Sequence, residues 1–270
     1  MTATDITPSS GLRASPTGVD RFRLDGLVAL VTGASAGLGA AIAVALAEAG
    51  ADVAAHGHSR SPAGTCQRIE ACGRRAVAVT GDLGDRAVSG RLVGDVISSL
   101  GRLDILVNNA GIIRRAPAER YTDEDWDQVI EVDLTSAFRL ARAAGRHMLE
   151  TGRGGRIVNV ASVLAFQGGI TVPAYAAAKG GLAQLTKALA NEWAAKGINV
   201  NAIAPGYIET DVTTALRADP ARNRQIVDRI PAGRWGRPDD VAGAIVFLAS
   251  RAASYVHGHV LAVDGGWLGR

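Results

Sequence analysis

Ser162, Tyr175 and Lys179 are the residues whose types and spacing could do chemistry together. Tyr175 and Lys179 stand four apart in Ala174 to Lys196, a segment whose composition predicts a helix, so they share one face. A phenol with its ordinary pKa of about 10 is a poor base near neutral pH, and a neighbouring ammonium favours the phenolate. The pair reads as a general acid/base in which Lys179 tunes Tyr175. Ser162 follows a β-branched run by two residues, which places its hydroxyl at the carboxyl edge of a strand, able to donate to a substrate carbonyl or alkoxide. Tyr-x-x-x-Lys by itself occurs on many solvated helix faces, so its meaning rests on what surrounds it.

A glycine-rich turn lies upstream. Thr32-Gly33-Ala34-Ser35-Ala36-Gly37-Leu38-Gly39 follows an apolar strand and precedes Ala40 to Ala49, good helix sequence closed by Gly50. Gly33 and Gly37 would let backbone approach a pyrophosphate, with Ser35 beside them. Gly39 would allow tight helix packing, and the helix N-terminus would face the negative charge. The expected ligand is a dinucleotide. Its adenosine end is read after the second strand, where an acidic residue would bind a ribose 2′-hydroxyl and a basic one a 2′-phosphate. The sequence there is His56-Gly57-His58-Ser59-Arg60, with no carboxylate; Ser59 and Arg60 could cradle phosphate, which leans to NADP, and Arg60 could equally be solvated. The choice between NAD and NADP stays open.

These motifs need a frame that brings strand ends together. From Leu27 onward, short β-branched runs alternate with amphipathic Ala-rich segments. Strands are expected near Val28 to Thr32, Asp52 to His56, Ala76 to Thr80, Ile105 to Asn108, Arg156 to Val160, Asn199 to Ala204 and Val260 to Val263. The fold class is α/β: a single-domain, Rossmann-type, doubly wound parallel sheet of about seven strands with helices on both faces and ligands at the strand C-terminal ends. The domain is expected over residues 23–270, after a flexible tail at 1–22 with no hydrophobic stretch.

The motif G-x-x-x-G-x-G, with Asn108-Asn109-Ala110-Gly111, Ser162, Tyr175-x-x-x-Lys179 and Pro205-Gly206, resembles the short-chain dehydrogenase/reductase family over about residues 24–270. The resemblance implies an NAD(P)-dependent oxidoreductase interconverting a secondary alcohol and a ketone. It implies that Leu38, Asp82, Leu83, Asn109, Ala110, Gly111, Pro205 and Gly206 line the cofactor, that Ile208 and Thr210 meet its nicotinamide end, and that Lys179 also binds the ribose. One position departs from the pattern: Val132-Asp133-Leu134 carries aspartate where the family usually has asparagine, a residue that helps hold a water beside the lysine. An anion there would favour the ammonium of Lys179, or Asp133 is a helix residue with a local hydrogen bond.

A narrower similarity rests on Gly111-Ile112-Ile113-Arg114-Arg115, Phe166-Gln167-Gly168-Gly169, Asn191 to Ala194, Arg229 to Gly236 and Val263 to Leu268. These segments look like the group of 2-deoxy-D-gluconate 3-dehydrogenases, also described as 2-dehydro-3-deoxy-D-gluconate 5-dehydrogenases. An anionic sugar acid needs a cation, for which Arg114 or Arg115 is the candidate, with Gln167 as a hydroxyl partner. Glu209 to Arg237, charged and helical, reads as a substrate lid whose arginines are mostly solvated. The alternatives are a 3-oxoacyl thioester reductase of the same family and a non-catalytic dinucleotide sensor, which would not need Ser162, Tyr175 and Lys179 together.

Composition excludes other classes. The 270 residues are 47% apolar with a net charge of +3 and no Lys/Arg-rich run, so neither nucleic acid nor membrane is an expected partner. Gly26 to Ala47 and Ile157 to Ala178 are uncharged but broken by polar and turn residues, so they read as strand, turn and helix rather than membrane spans. Cys66 and Cys72 are expected as free thiols in a reducing cytoplasm. His257 and His259 lack a third ligand, so no metal is expected. Trp193 and Trp267 read as packing or interface residues. The apolar face of Val241 to Ala249 suggests surface beyond one core's needs, and the resemblance implies a homotetramer.

Overall fold

The computed structural model describes residues 18–270. Residues 1–17, most of the expected tail, lie outside the described residues. Gly18–Phe22 forms a short 3-10 turn whose Phe22 ring sits 6.2 Å from Phe247.

Seven strands form one parallel sheet: β1 Val28–Val31, β2 Asp52–Gly57, β3 Ala76–Thr80, β4 Ile105–Asn108, β5 Gly155–Val160, β6 Ile198–Pro205 and β7 Val260–Val263. Their order is β3-β2-β1-β4-β5-β6-β7. The chain starts in the middle, winds outward to β3, then returns across β1 to β4, so the crevice above the carboxyl ends of β1 and β4 is the switch point of a doubly wound sheet. Each strand end lies within two residues of its expected place.

Both faces of the sheet are covered, and for this reason the central strands carry consecutive apolar residues, as in Val28–Val31 and 105–107, rather than alternate ones. Ala29, Val31, Val53, Ala55 and Val107 point into a core shared with α1 (Gly37–Glu48) and α9 (Pro238–Ala249). Their neighbours Val28, Leu30, Ala54, Leu106 and Ile157 point the other way, against α3 (Val88–Leu100), α5 (Ser136–Thr151) and α6 (Pro173–Trp193). The apolar face of Val241 to Ala249 is not spare surface: Val241, Ile245 and Leu248 are buried in the first core, where α9 packs along α1. Trp193 is buried in the second core, stacked over Gly145, where a Cβ would come within 2.7 Å of its ring.

The remaining elements are α2 (Ala63–Ala71), α4 (Asp123–Ile130) and, between β6 and α9, α7 (Thr214–Ala218) and α8 (Pro220–Val227). Cys66 and Cys72 are free thiols, Cys66 buried and Cys72 partly exposed. Among the described residues, no helix is long and apolar enough to cross a membrane.

Candidate active site

Above the carboxyl ends of the strands lies a cavity of about 820 Å³. Its first wall is the glycine turn between β1 and α1. Gly33 and Gly37 have φ of +64° and +53°, where side chains are strained. Gly39 is constrained by space instead: a Cβ there would lie 2.2 Å from the Gly33 carbonyl oxygen and 2.4 Å from Asn109 Nδ2. The turn is fixed from below by buried Thr32 and His56 and by half-buried Asn109. Thr32 Oγ accepts from the Asn109 and Ala110 amides (2.9 and 3.0 Å), and Asn109 Nδ2 donates to the Thr32 carbonyl (2.8 Å). The Gly33 amide donates to His56 Nδ1 (3.3 Å), while His56 Nε2 donates to the Gly81 carbonyl (3.0 Å). Burial lowers the His56 pKa, consistent with this neutral tautomer.

The fit to a dinucleotide can be judged from α1. Its N-cap is Ala36, no side chain caps it, and its first turn holds no acidic residue. The uncapped amides of a twelve-residue helix therefore open on the cavity, beside glycines that offer no side chain to block a pyrophosphate. At one side of this wall, His58, Ser59 and Arg60 face Asp82 and Leu83; His58 Nε2 stands 3.9 Å from Asp82 Oδ2. Arg60 reaches Asp211 across the cavity mouth at 3.4 Å, with both side chains largely exposed. Every residue expected to hold the dinucleotide lines this one cavity, including Ser35, Leu38, Ala110, Gly111, Pro205, Gly206, Ile208 and Thr210.

The second wall carries Ser162, Tyr175 and Lys179. Ser162 has extended backbone just after β5, and its Oγ accepts from the Leu164 amide (3.2 Å), which leaves the hydroxyl proton free to donate. The same hydroxyl acts on the Tyr175 phenol, favouring its ionised form. α6 starts at Pro173, so Tyr175 lies in its first turn and Lys179 one turn on. Lys179 is 3% exposed; Nζ donates to the Val160 carbonyl (3.0 Å), stands 3.3 Å from Asp133 Oδ2 and lies 5.3 Å from the centre of the Tyr175 ring.

Asp133 sits in a π-helical turn, Glu131–Thr135, between α4 and α5, not in an uninterrupted helix. The extra residue in that turn aims a 1%-exposed carboxylate at Lys179, as such turns often do near functional sites. Oδ1 accepts from the Ile112 amide (2.7 Å); Oδ2 meets Lys179 as an ion pair, off-line for a hydrogen bond. Burial raises the Asp133 pKa against the pull of Lys179. Burial would lower that of Lys179, but Asp133 and Tyr175 outweigh it and leave it raised, so the ammonium persists. The phenol departs from expectation: burial raises its pKa and Asp133 adds to this, so the lowering by Lys179, Ser162 and Arg115 does not bring it below the ordinary value.

The substrate side is closed by the segment after β6. Val163 from the Ser162 turn packs with Ile226, Ile230, Trp235 and Trp267, and Tyr207 lies against both indoles, 4.6 Å from Trp267 and 5.5 Å from Trp235. Gln167 lines the cavity as expected. Arg114 does not: it turns outward to Asp125 (3.4 Å) and Gln128 (2.9 Å), while Arg115 lines the cavity. Arg229 and Trp267 also line it, residues to which sequence reading attached no site role; their only signal was membership in the Arg229 to Gly236 and Val263 to Leu268 segments.

Comparison with known proteins agrees with this geometry. The family model described as enoyl-(acyl carrier protein) reductase matches residues 33–268. A 2-dehydro-3-deoxy-D-gluconate 5-dehydrogenase of Bacillus subtilis is 53% identical over 93% of this chain and 98% of the relative. The protein of the same description from Escherichia coli is 49% identical over 92% and 98%. A solved structure from Agrobacterium tumefaciens, described as a 2-deoxy-D-gluconate 3-dehydrogenase with bound NADP, is 56% identical with a TM-score of 0.88, over 93% of this chain and 99% of that one. Matched along nearly its whole length, with the glycine turn, serine, tyrosine and lysine around one cavity, the chain belongs to the short-chain dehydrogenase/reductase family.

Proposed function

We propose that this protein is an NAD(P)-dependent dehydrogenase that interconverts a secondary alcohol and a ketone on a deoxy sugar acid. The observation that carries the chemistry is the convergence of Ser162, Tyr175 and the buried Lys179 opposite an uncapped glycine-turn helix. The substrate class is supported by relatives near half identity that are described as acting on 2-dehydro-3-deoxy-D-gluconate.

In this reading the uncapped amides of α1 hold the pyrophosphate, and His58, Ser59, Arg60 and Asp82 surround the adenosine. A bound nicotinamide would supply the hydride donor or acceptor and, when oxidised, a positive charge. Tyr175 takes the alcohol proton in oxidation and returns it in reduction. Ser162 donates its free proton to the reacting oxygen, fixing that oxygen within reach of the phenol. Lys179 has three donors; one goes to Val160 and one side faces Asp133, which leaves a donor for ribose hydroxyls. Because burial holds the phenol above its ordinary pKa, Lys179 alone does not bring it down, and the positive charge of an oxidised nicotinamide would favour the phenolate further. NADP is the favoured form, since no carboxylate stands after β2 to repel a 2′-phosphate.

Residues 23–270 act as one domain in this reading, in the cytoplasm. A homotetramer is part of it, supported by exposed Trp126 on α4 and by Phe138 and Leu149 on α5. The test is absorbance of the reduced nicotinamide with purified protein, NAD or NADP, and 2-deoxy-D-gluconate, 2-dehydro-3-deoxy-D-gluconate or simple polyols. Turnover confined to the acids is the expected result; turnover of polyols and silence on the acids would remove the sugar-acid assignment and leave the general chemistry.

A further inference from the structure

We infer that Arg229, laid on the indole of Trp267 and tied to Gln167, is the carboxylate-binding group of the active site. The inference rests on the sugar-acid reading above and assigns the end of the substrate remote from the chemistry. In a 2-dehydro-3-deoxy-gluconate oxidised at carbon 5, the carboxylate carbon is four carbon–carbon bonds from the reacting one. Its cation must therefore stand on the cavity wall away from Tyr175.

Four arginines line the cavity, and Arg229 is the one held both by a ring face and by a side chain from another wall of it. Arg60 lies at the adenosine end, paired with Asp211. Arg115 lines the cavity but has no side-chain partner among the described residues to orient it. Arg222 reaches Gln225 in its own helix at 3.2 Å. Arg229 has no carboxylate within ion-pair distance among the described residues, unlike Arg114 and Arg234, which pair with Asp125 and Asp240.

What Arg229 has is orientation without neutralisation. Its guanidinium carbon is 4.0 Å from the centre of the Trp267 ring, a stacking distance. Its Nη2 donates to Gln167 Oε1 at 3.3 Å, which links it to the turn that begins at Ser162. Trp267 cannot drift: it is 4% exposed, packed on Tyr207, and carried by a turn in which Asp264 accepts from the Gly266 and Leu268 amides, both at 2.9 Å. A planar cation held by one face and one corner keeps in-plane N–H donors for a carboxylate, the geometry at which Arg outperforms Lys. The neutral partners matter: an acidic one would have occupied the same donors.

The test compares 2-dehydro-3-deoxy-D-gluconate with its uncharged amide, in wild type, Arg229→Gln, Arg229→Lys, Trp267→Leu and, as a control for charge removed from α8 outside the cavity, Arg224→Gln. Arg229→Gln should raise KM for the acid about 10- to 100-fold, the range for losing a charge-assisted contact, with kcat within about threefold and KM for the amide unchanged. Arg229→Lys should recover part of that loss, and Trp267→Leu should raise the acid KM several-fold. A merely structural role would move acid and amide together. If wild type turns over the acid and Arg229→Gln matches Arg224→Gln, the clamp is overturned while the sugar-acid reading stands. If wild type turns over no acid, that reading fails, and calorimetric binding of the acid to the enzyme–NADP complex decides the clamp. Binding lost in Arg229→Gln then keeps it; equal binding, or none in either protein, overturns it.

Discussion

The two halves of the cavity are built from different materials. The half at the ends of β1, β2 and β4 is made of backbone: glycines at positive φ, an uncapped helix end, and buried Thr32 and His56 with half-buried Asn109, which lock the turn through main-chain groups. The half under α7 and α8 is made of side chains from loops: Gln167, Tyr207, Arg229 and Trp267, held by ring stacking and a single side-chain hydrogen bond. A backbone cradle recognises what every nicotinamide dinucleotide shares, whereas a side-chain wall can be rewritten without disturbing the sheet. Ser162, Tyr175 and Lys179 stand on the seam, anchored to β5 and α6 but facing both. One fold can thereby serve many substrates with a constant chemistry.

The largest expected effect tests where the seam belongs. Tyr175→Phe should lower kcat by about 10³-fold, within the range for a positioned acid/base, on every substrate alike, with KM for acid and cofactor nearly unchanged. Steady-state kinetics with two substrates checks it. A loss that differed strongly between substrates would place the phenol with the variable wall.

Next comes Asp133, a positioning residue that acts through Lys179 and Tyr175. Its charge, added to burial, raises the phenol's pKa, and Lys179, Ser162 and Arg115 are the groups that oppose it. Oxidation needs the phenolate, so kcat/KM rises with pH through the phenol's ionisation. Asp133→Asn removes the raising charge while keeping the Ile112 hydrogen bond, so the acid limb of the profile should move to lower pH. Lys179 loses its raising partner in the same variant but keeps its neighbour Tyr175. An unmoved limb in pH–rate profiles of the two proteins would make the carboxylate a packing group only.

The contrast also explains what could be read in advance. The backbone half was legible because its signals are local: Gly33, Gly37 and Gly39 come between a strand and a helix, and β-branched runs mark each strand to within two residues. Tyr175 and Lys179 were legible because helical spacing alone puts them on one face. The π-turn at Glu131–Thr135 was not, since nothing in Glu131-Val132-Asp133 distinguishes an added backbone residue from ordinary helix. Nor was the exchange of Arg114 for Arg229. Arg114 is adjacent in sequence to the fourth-strand motif, but Asp125 and Gln128 of α4 draw it outward. Arg229 reaches the cavity only because Gln167 and Trp267, far from it in sequence, meet it there. The raised phenol was hidden for a related reason: burial and a distant aspartate decide it, not the neighbouring lysine alone.

The smallest effect concerns the ion pair that joins the two halves. Arg60, after β2, meets Asp211, after β6, at 3.4 Å, with side chains 67% and 85% exposed. An exposed pair of this kind contributes about 0–1 kcal/mol, so Arg60 can exchange Asp211 for a 2′-phosphate at little cost. Arg60→Ala should therefore raise KM for NADP about three- to tenfold and leave that for NAD unchanged, with folding and kcat intact. Kinetics with both cofactors at fixed acid concentration measures the ratio. Equal changes for NAD and NADP would mean that Arg60 closes the cavity mouth through Asp211 rather than reading the phosphate, and the backbone half would then owe its cofactor choice to His58 and Ser59.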